Sequence, residues 1–296
     1  MLTGVLAGLA AGALWGLVFV APRMAPGYSS VDLTAGRFAA FGLMAVAVML
    51  LNTRSRKLPD WSQAGAALGL SLLGFTGYYL LLVLAIRDAG TEVPTLVIGM
   101  IPILVMLLGK PQGLRWGALL PGLALTLAGL GLMMSSPHAA SGHLGANFWR
   151  GMALVTASMV SWTAFAIYNA AWLKRHPQVR ATDWANWLGL ATGAGALLLW
   201  LVAGTPVGEL RQMPQFNAFV LLCTATGLGS AWLATILWNV ASQRLSASLC
   251  GQLIVSETLF ALLYSFVWDG QWPTFRQAAA CVLFTLGIVF SIRAHR

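Results

Sequence analysis

Charge is what this sequence has least of. Only 8% of its 296 residues are Asp, Glu, Lys or Arg, while 58% are hydrophobic. That balance leaves a water-soluble domain of this length without a surface. Acid is the scarcer sign: eight Asp and Glu stand against 17 Lys and Arg, for a formal net charge of +9. The excess does not form a nucleic-acid footprint, which gathers cations on one polar face; here they are scattered between apolar runs. Cysteine is nearly missing as well. Cys223, Cys250 and Cys281 all lie inside apolar runs, and an odd number without metal-ligand spacing argues against a disulfide framework or a zinc site. The four histidines, His138, His143, His176 and His295, fall between or after apolar runs with no partner motif such as HExxH, so no chemistry is assigned to them. What remains is a polytopic membrane protein with no cofactor and no metal.

Roughly 17 to 25 mostly apolar residues cross a hydrocarbon core as a helix. Cut at charged, Pro and Gly positions, the chain yields ten such segments: 2–21, 31–51, 63–85, 92–109, 116–135, 149–172, 183–203, 216–241, 246–268 and 275–292. No basic stretch precedes the first and no clear small-residue cleavage site follows it, so it reads as a permanent helix rather than a signal peptide. With the N-terminus in the cytoplasm, eleven of the 17 basic residues fall in inner loops or the tail, five fall outside, and Arg37 lies within a span. The positive-inside rule therefore places both termini in the cytoplasm.

The chain also resembles itself. GVLAGLAAGALWG (Gly4 to Gly16) aligns with GMALVTASMVSWT (Gly151 to Thr163), setting Trp15 on Trp162; at a nearby offset Gly74-x4-Tyr79 falls on Gly227-x4-Trp232. Each half holds five spans, an odd number, so the second must enter the membrane from the opposite side. The expected fold class is an all-α integral membrane protein of ten transmembrane helices in two inverted five-helix repeats. Residues 1–135 form the first repeat, 136–148 an external linker and 149–296 the second.

Few side chains in the spans can do work. Gly4, Gly8, Gly12 and Gly16 recur along one face of the first span, a pattern that lets another helix approach closely. Pro94 and Pro102 interrupt the fourth, which should be kinked or locally unwound, as plain architecture, as a hinge, or to turn carbonyls toward a ligand. Glu257 is a lone carboxylate at mid-span. Its insertion costs about 2.5 to 3.5 kcal/mol, so it should face protein or a wet cavity. Two readings stand: a protonated acid bonded to a neighbouring helix, or a contact for substrate ammonium or a coupling proton. Gln252 and Ser256 form a second polar stripe on that helix.

Arg37 lies about 9 Å into its span, near the outer surface, where snorkelling or capping of carbonyls competes with binding a substrate carboxylate. As the one cation within a span, it disfavours phosphorylated substrates, which need several. Trp15, Trp162, Tyr78, Tyr79, Trp232 and Trp238 are deep in their spans or repeated in both halves. Their rings offer packing, or a cavity lining that stacks on an aromatic ligand or holds an ammonium.

The paired halves, Ala11-x-x-x-Trp15-Gly16, Arg37-Phe38 and Pro102 together resemble the drug/metabolite transporter superfamily, as two EamA domains. GTEVPTLVIGMIPILV (Gly90 to Val105) and SASLCGQLIVSETLFALLYSFVWDGQWP (Ser246 to Pro273) resemble the YddG-type exporters of aromatic amino acids. Where many EamA halves carry Leu-Gly-Glu after the Pro-containing span, this chain has Leu108-Gly109-Lys110 and Asp269-Gly270-Gln271, so no role of that Glu carries over. The resemblance implies a central cavity built from both repeats and efflux of small metabolites across the bacterial inner membrane.

The resulting expectation is a secondary transporter exporting amino acids, aromatic or large and apolar, by alternating access. Aromatic rings would contact the side chain, Glu257, Gln252 or Ser256 the ammonium, and Arg37 the carboxylate. Its partners are a small-molecule amino acid and the lipid bilayer, not nucleic acid, and a monomer is compatible with this reading. The alternative is export of cationic amphiphiles, for which one acid among aromatics suffices. An enzyme has little support, since no nucleophile and base stand at meaningful spacing.

Overall fold

In hydrocarbon a chain must satisfy its own backbone polar groups, which leaves helices as the solution for apolar runs of this length. A computed structural model of the protein describes residues 1–52, 58–89, 94, 97–134 and 147–295. Among these residues all regular structure is helical. We number the helices α1 (Leu2–Gly16, continued by a 3-10 turn, Leu17–Phe19), α2 (Ser30–Leu51), α3 (Trp61–Ala89), α4 (Ile101–Leu108), α5 (Trp116–Met134), α6 (Phe148–Arg175), α7 (Ala181–Ala203), α8 (Phe216–Arg244), α9 (Ala247–Asp269) and α10 (Phe275–Ala294). Among the described residues nine of these are long and apolar enough to cross a membrane; the short α4 is not.

Local signals in the sequence set the helix starts. Ser29 caps α2 by accepting from the Asp32 backbone N–H, and Ser246 caps α9 by accepting from that of Leu249. Asp60 with Gln63 and Thr274 with Gln277 form capping boxes at α3 and α10, each satisfying two otherwise orphaned donors. α9 stops at Gly270, whose φ of +62° suits a residue without Cβ.

The expected interruption of the fourth span takes a specific form. Val97 and Ile98 are helical, Gly99 and Met100 form a turn, and α4 starts afresh at Ile101 with Pro102 in its first turn. A proline there lacks only an N–H that would be unpaired anyway, so Pro102 opens a helix instead of kinking one. Pro94 is buried; its neighbours 90–93 and 95–96 lie outside the described residues, as does 135–146, most of the expected linker.

α2 packs along α7, α5 along α10 and α4 across α9, while α1 lies against α8 and α9, and α6 against α3 and α4. Exchanging each helix with the one five places later returns the same set. α2 and α7 meet backbone to backbone: a Cβ built on Gly42 would lie 2.7 Å from the Gly193 Cα, and one on Gly193 2.8 Å from that of Gly42. α3 and α8 also share a departure from α geometry, with π-helical segments at Leu72–Thr76 and Gly227–Leu233. Gly74 and Gly227, aligned by sequence, lie in these segments.

The glycine stripe of α1 is a packing surface. Gly4 meets Leu245, Gly8 meets Leu253, Gly12 meets Ser256 and the Glu257 backbone N–H, and Gly16 meets Phe260 and Ala261. With no side chain on this face of α1, the α9 side chains seat against its backbone, and at Gly12 and Gly16 the α9 backbone itself does so, on either side of Glu257.

Candidate functional site

Two formally charged side chains from different helices lie close enough inside the bundle to interact electrostatically. Arg37 projects from α2 and Glu257 from α9, within electrostatic reach of one another and of Tyr78 on α3; Arg37 also faces Tyr79. These groups lie deep among the helices, yet each keeps part of its surface accessible. Charged groups that are deep in a bundle yet partly accessible are candidates for contact with a small molecule, and the space they border is the candidate cleft. Neither charge is consumed by the protein: among the described residues Arg37 and Glu257 form no ion pair within 4.0 Å, and the buried Arg37 Nε has no hydrogen-bond partner. Unpaired charges are costly in a low-dielectric interior, and a ligand carrying the opposite signs relieves both.

Aromatic rings border the charges. The Arg37 guanidinium carbon lies 5.0 Å from the Phe38 ring centroid, within cation–π range, and Phe38 meets Tyr79 edge-on at 6.3 Å. Tyr79 is fixed by donating its hydroxyl to the Ser30 carbonyl at 2.8 Å. Tyr78, Trp15 and Trp162 pack against one common apolar core. Trp15 and Trp162, aligned by sequence, meet edge-to-face at 6.3 Å, and Trp238 backs both at 5.3 and 6.2 Å. Trp15 and Trp162 retain accessible ring surface.

The helix irregularities shape this wall. A π turn frees a carbonyl from the regular ladder and rotates the next stretch of helix about its axis. In α3 the Leu73 carbonyl accepts from Ser161 Oγ at 2.8 Å and the Tyr78 carbonyl from Ser158 Oγ at 2.9 Å. In α8, Ser230 Oγ donates to the Leu14 carbonyl at 2.6 Å. At Gly227 the missing side chain admits the Arg37 carbonyl and Ala40. The π segments thus seat α2 and α6, the helices that carry Arg37 and Trp162.

Several expected site residues lie elsewhere. Ser256 is 1% exposed, pressed against Gly12 and donating to the Leu253 carbonyl at 2.7 Å; it fills helix packing and reaches no ligand. Gln252 is fully buried with its amide donating to Thr126 Oγ1 at 2.9 Å, tying α9 to α5. Trp238 is 1% exposed, a support for the other tryptophans rather than a surface. Trp232, half-buried, donates its indole N–H to Asn186 Oδ1 at 2.9 Å, tying α8 to α7. Arg37 is half-buried, and among the described residues it caps no helix carbonyl; its own backbone carbonyl meets Gly227 of α8.

Other polar structure lay in the sequence unread. Asn169 receives the Trp184 indole N–H at 2.7 Å and donates to Asn239 at 3.1 Å, linking α7, α6 and α8. Asp32, 1% exposed, accepts from the Thr205 backbone N–H and hydroxyl, both at 2.7 Å, and from Ser29 Oγ at 2.6 Å. Asp88 holds Arg150 bidentately at 2.6 and 2.8 Å. Amides and acids inside or at the ends of apolar runs were the available signal. Among the described residues no group of His, Cys, Asp and Glu is placed to hold a metal.

Membrane-length helices that enclose a few charged and aromatic side chains are a build shared by carriers of small molecules. Residues 2–135 match the EamA-like transporter family. The inner membrane protein YtfF of Escherichia coli (strain K12) is 34% identical over 313 aligned residues, covering 99% of this chain and 96% of that protein. The chain belongs to the EamA-like transporter family and is a multi-pass protein of the inner membrane. A crystal structure of a 22% identical protein superposes with a TM-score of 0.79 over 99% of this chain and 97% of that one, which establishes a shared fold.

Proposed function

We propose that this transporter exports amino acids with aromatic or large apolar side chains, and that residues 1–135 and 149–296 act as inverted repeats with both termini cytoplasmic. The observation that carries the substrate reading is the pair of unspent charges, Arg37 and Glu257, on helices of different halves and bordered by rings. A zwitterion places its carboxylate at Arg37 and its ammonium at Glu257, while Tyr78, Trp15 and Trp162 receive the side chain. The self-mapping helix contacts and the matched π segments support the repeat. Rocking of one half against the other then exposes the cleft to each side in turn. The break before Pro102 and the buried Pro94 offer places for α4 to bend during that motion.

Proteoliposomes loaded with tryptophan, phenylalanine or glycine test the substrate class. Protein-dependent efflux is expected for the first two, reduced at least tenfold in Glu257→Gln and in Arg37→Gln; no flux of any amino acid overturns the reading. Export of cationic amphiphiles is its rival. Arg37 opposes a purely cationic ligand, so displacement by quaternary ammonium compounds but not by zwitterions would reverse the ranking.

A further inference from the structure

A cavity lies at the end of the bundle that carries both termini, lined by none of the residues of the candidate cleft. About 420 Å³ in volume, it is enclosed by Met1, the α4–α5 loop at Leu114, Arg244 at the end of α8, Ser246 and Leu249 at the start of α9, and His295 beyond α10. Among the described residues no Asp or Glu side chain lines it. Arg244 is exposed and forms no hydrogen bond or ion pair with a described residue. Ser246 Oγ accepts from the Leu249 N–H at 3.1 Å, which leaves its own proton to donate. Nδ1 of His295 faces the Ser291 carbonyl at 2.7 Å, and its Nε2 is buried without a partner. Leu114, Leu245 and Leu249 supply an apolar wall, and Lys110 and Arg115 bracket the loop in sequence.

We infer that this cavity binds the phosphate headgroup of an anionic phospholipid, drawn from the leaflet on the side of the termini. Arg matches a phosphate through a planar fork of donors, the serine hydroxyl adds another donor, and the absence of acid leaves the local field positive. Basic pockets between transmembrane helices at a membrane surface suit anionic lipid headgroups. Free phosphate fits less well: its second charge calls for several cations, whereas one lipid phosphodiester carries a single charge and an acyl chain that the leucine wall accommodates. Bound there, the lipid would join the α4–α5 loop of the first half to α8, α9 and α10 of the second. This site rests on the membrane location of the chain and not on the substrate proposed for the cleft; the cytoplasmic orientation decides only which leaflet supplies the lipid.

Native mass spectrometry of the full chain, after exposure to phosphatidylglycerol or phosphatidylcholine in neutral detergent, tests the inference. Phosphatidylglycerol is expected to be retained about tenfold more than phosphatidylcholine. Arg244→Gln and, independently, Leu114→Asp, which puts a carboxylate against the headgroup, should each abolish that preference without changing the melting temperature measured without lipid. Equal retention of the two lipids, or a preference unchanged in both variants, overturns it. Displacement of phosphatidylglycerol by millimolar inorganic phosphate would assign the cavity to the free ion and overturn the lipid source. Transport assays of the cleft fail or succeed separately.

Discussion

A single missing side chain can matter as much as a charge in this protein. At Gly12 a Cβ would lie 2.1 Å from Ser256 Oγ and 3.1 Å from the Glu257 nitrogen, so Gly12→Ala must push α9 away from α1. We expect a loss of about 1 to 3 kcal/mol from overpacking, read as a lower melting temperature in detergent. Ser256→Gly in the same chain removes the obstructing hydroxyl and should recover part of that loss, with a coupling of about 0.5 to 3 kcal/mol. Strict additivity of the two changes would show that they do not meet. Asp32 is a second case. Three donors converge on its buried carboxylate, and charged hydrogen bonds contribute about 1.5 to 3 kcal/mol each. Asp32→Ala is therefore expected to destabilise the fold by at least one such bond, whereas Thr205→Val, which keeps the backbone N–H donor, should cost less.

Whole helices obey the same distinction between faces. α2 and α7 cross at Gly42 and Gly193 with no room for a methyl group, whereas Gly65 on α3 has nothing within 4 Å of its absent Cβ. Gly42→Ala should lower the yield of folded protein in size-exclusion profiles; Gly65→Ala should be neutral or slightly stabilising, because alanine favours helix by about 1 kcal/mol over glycine. Equal effects would refute the crossing. The π segments of α3 and α8 were not legible in the sequence, where GFTGYY and GLGSAW read as unbroken helix. They arise because partners on α6 and α1 hydrogen-bond at those levels, and such partners are distant in the chain. α4 was partly legible: its prolines announced a break, but whether Pro102 would kink a helix or start one depends on the turn at Gly99 and Met100.

At the scale of the molecule, one end gathers Met1, the α4–α5 and α8–α9 connections and the C-terminal segment. The proposed topology puts that end in the cytoplasm. A membrane-impermeant thiol reagent on intact cells should label Gly208→Cys, in the short exposed helix Val207–Leu210 after α7, and spare Gln112→Cys until the cells are opened; the reverse pattern would invert the topology. The native cysteines interfere little, since Cys223 and Cys250 are buried.

The sequence alone determined the nine membrane-length helices found among the described residues, because a scarcity of charge over runs of this length permits one backbone solution in lipid. The internal similarity and the isolation of Glu257 as a mid-span acid were equally local facts. Only the tertiary structure decided which polar side chains remain available. Ser256, Gln252 and Trp238 share helices with accessible groups but face neighbouring helices and are consumed in packing. The charge of Arg37 lies within electrostatic reach of Glu257, an acid 220 residues further along the chain, which no local pattern announces. Composition and periodicity say that a side chain lies within a span. What it faces depends on helices more than a hundred residues away.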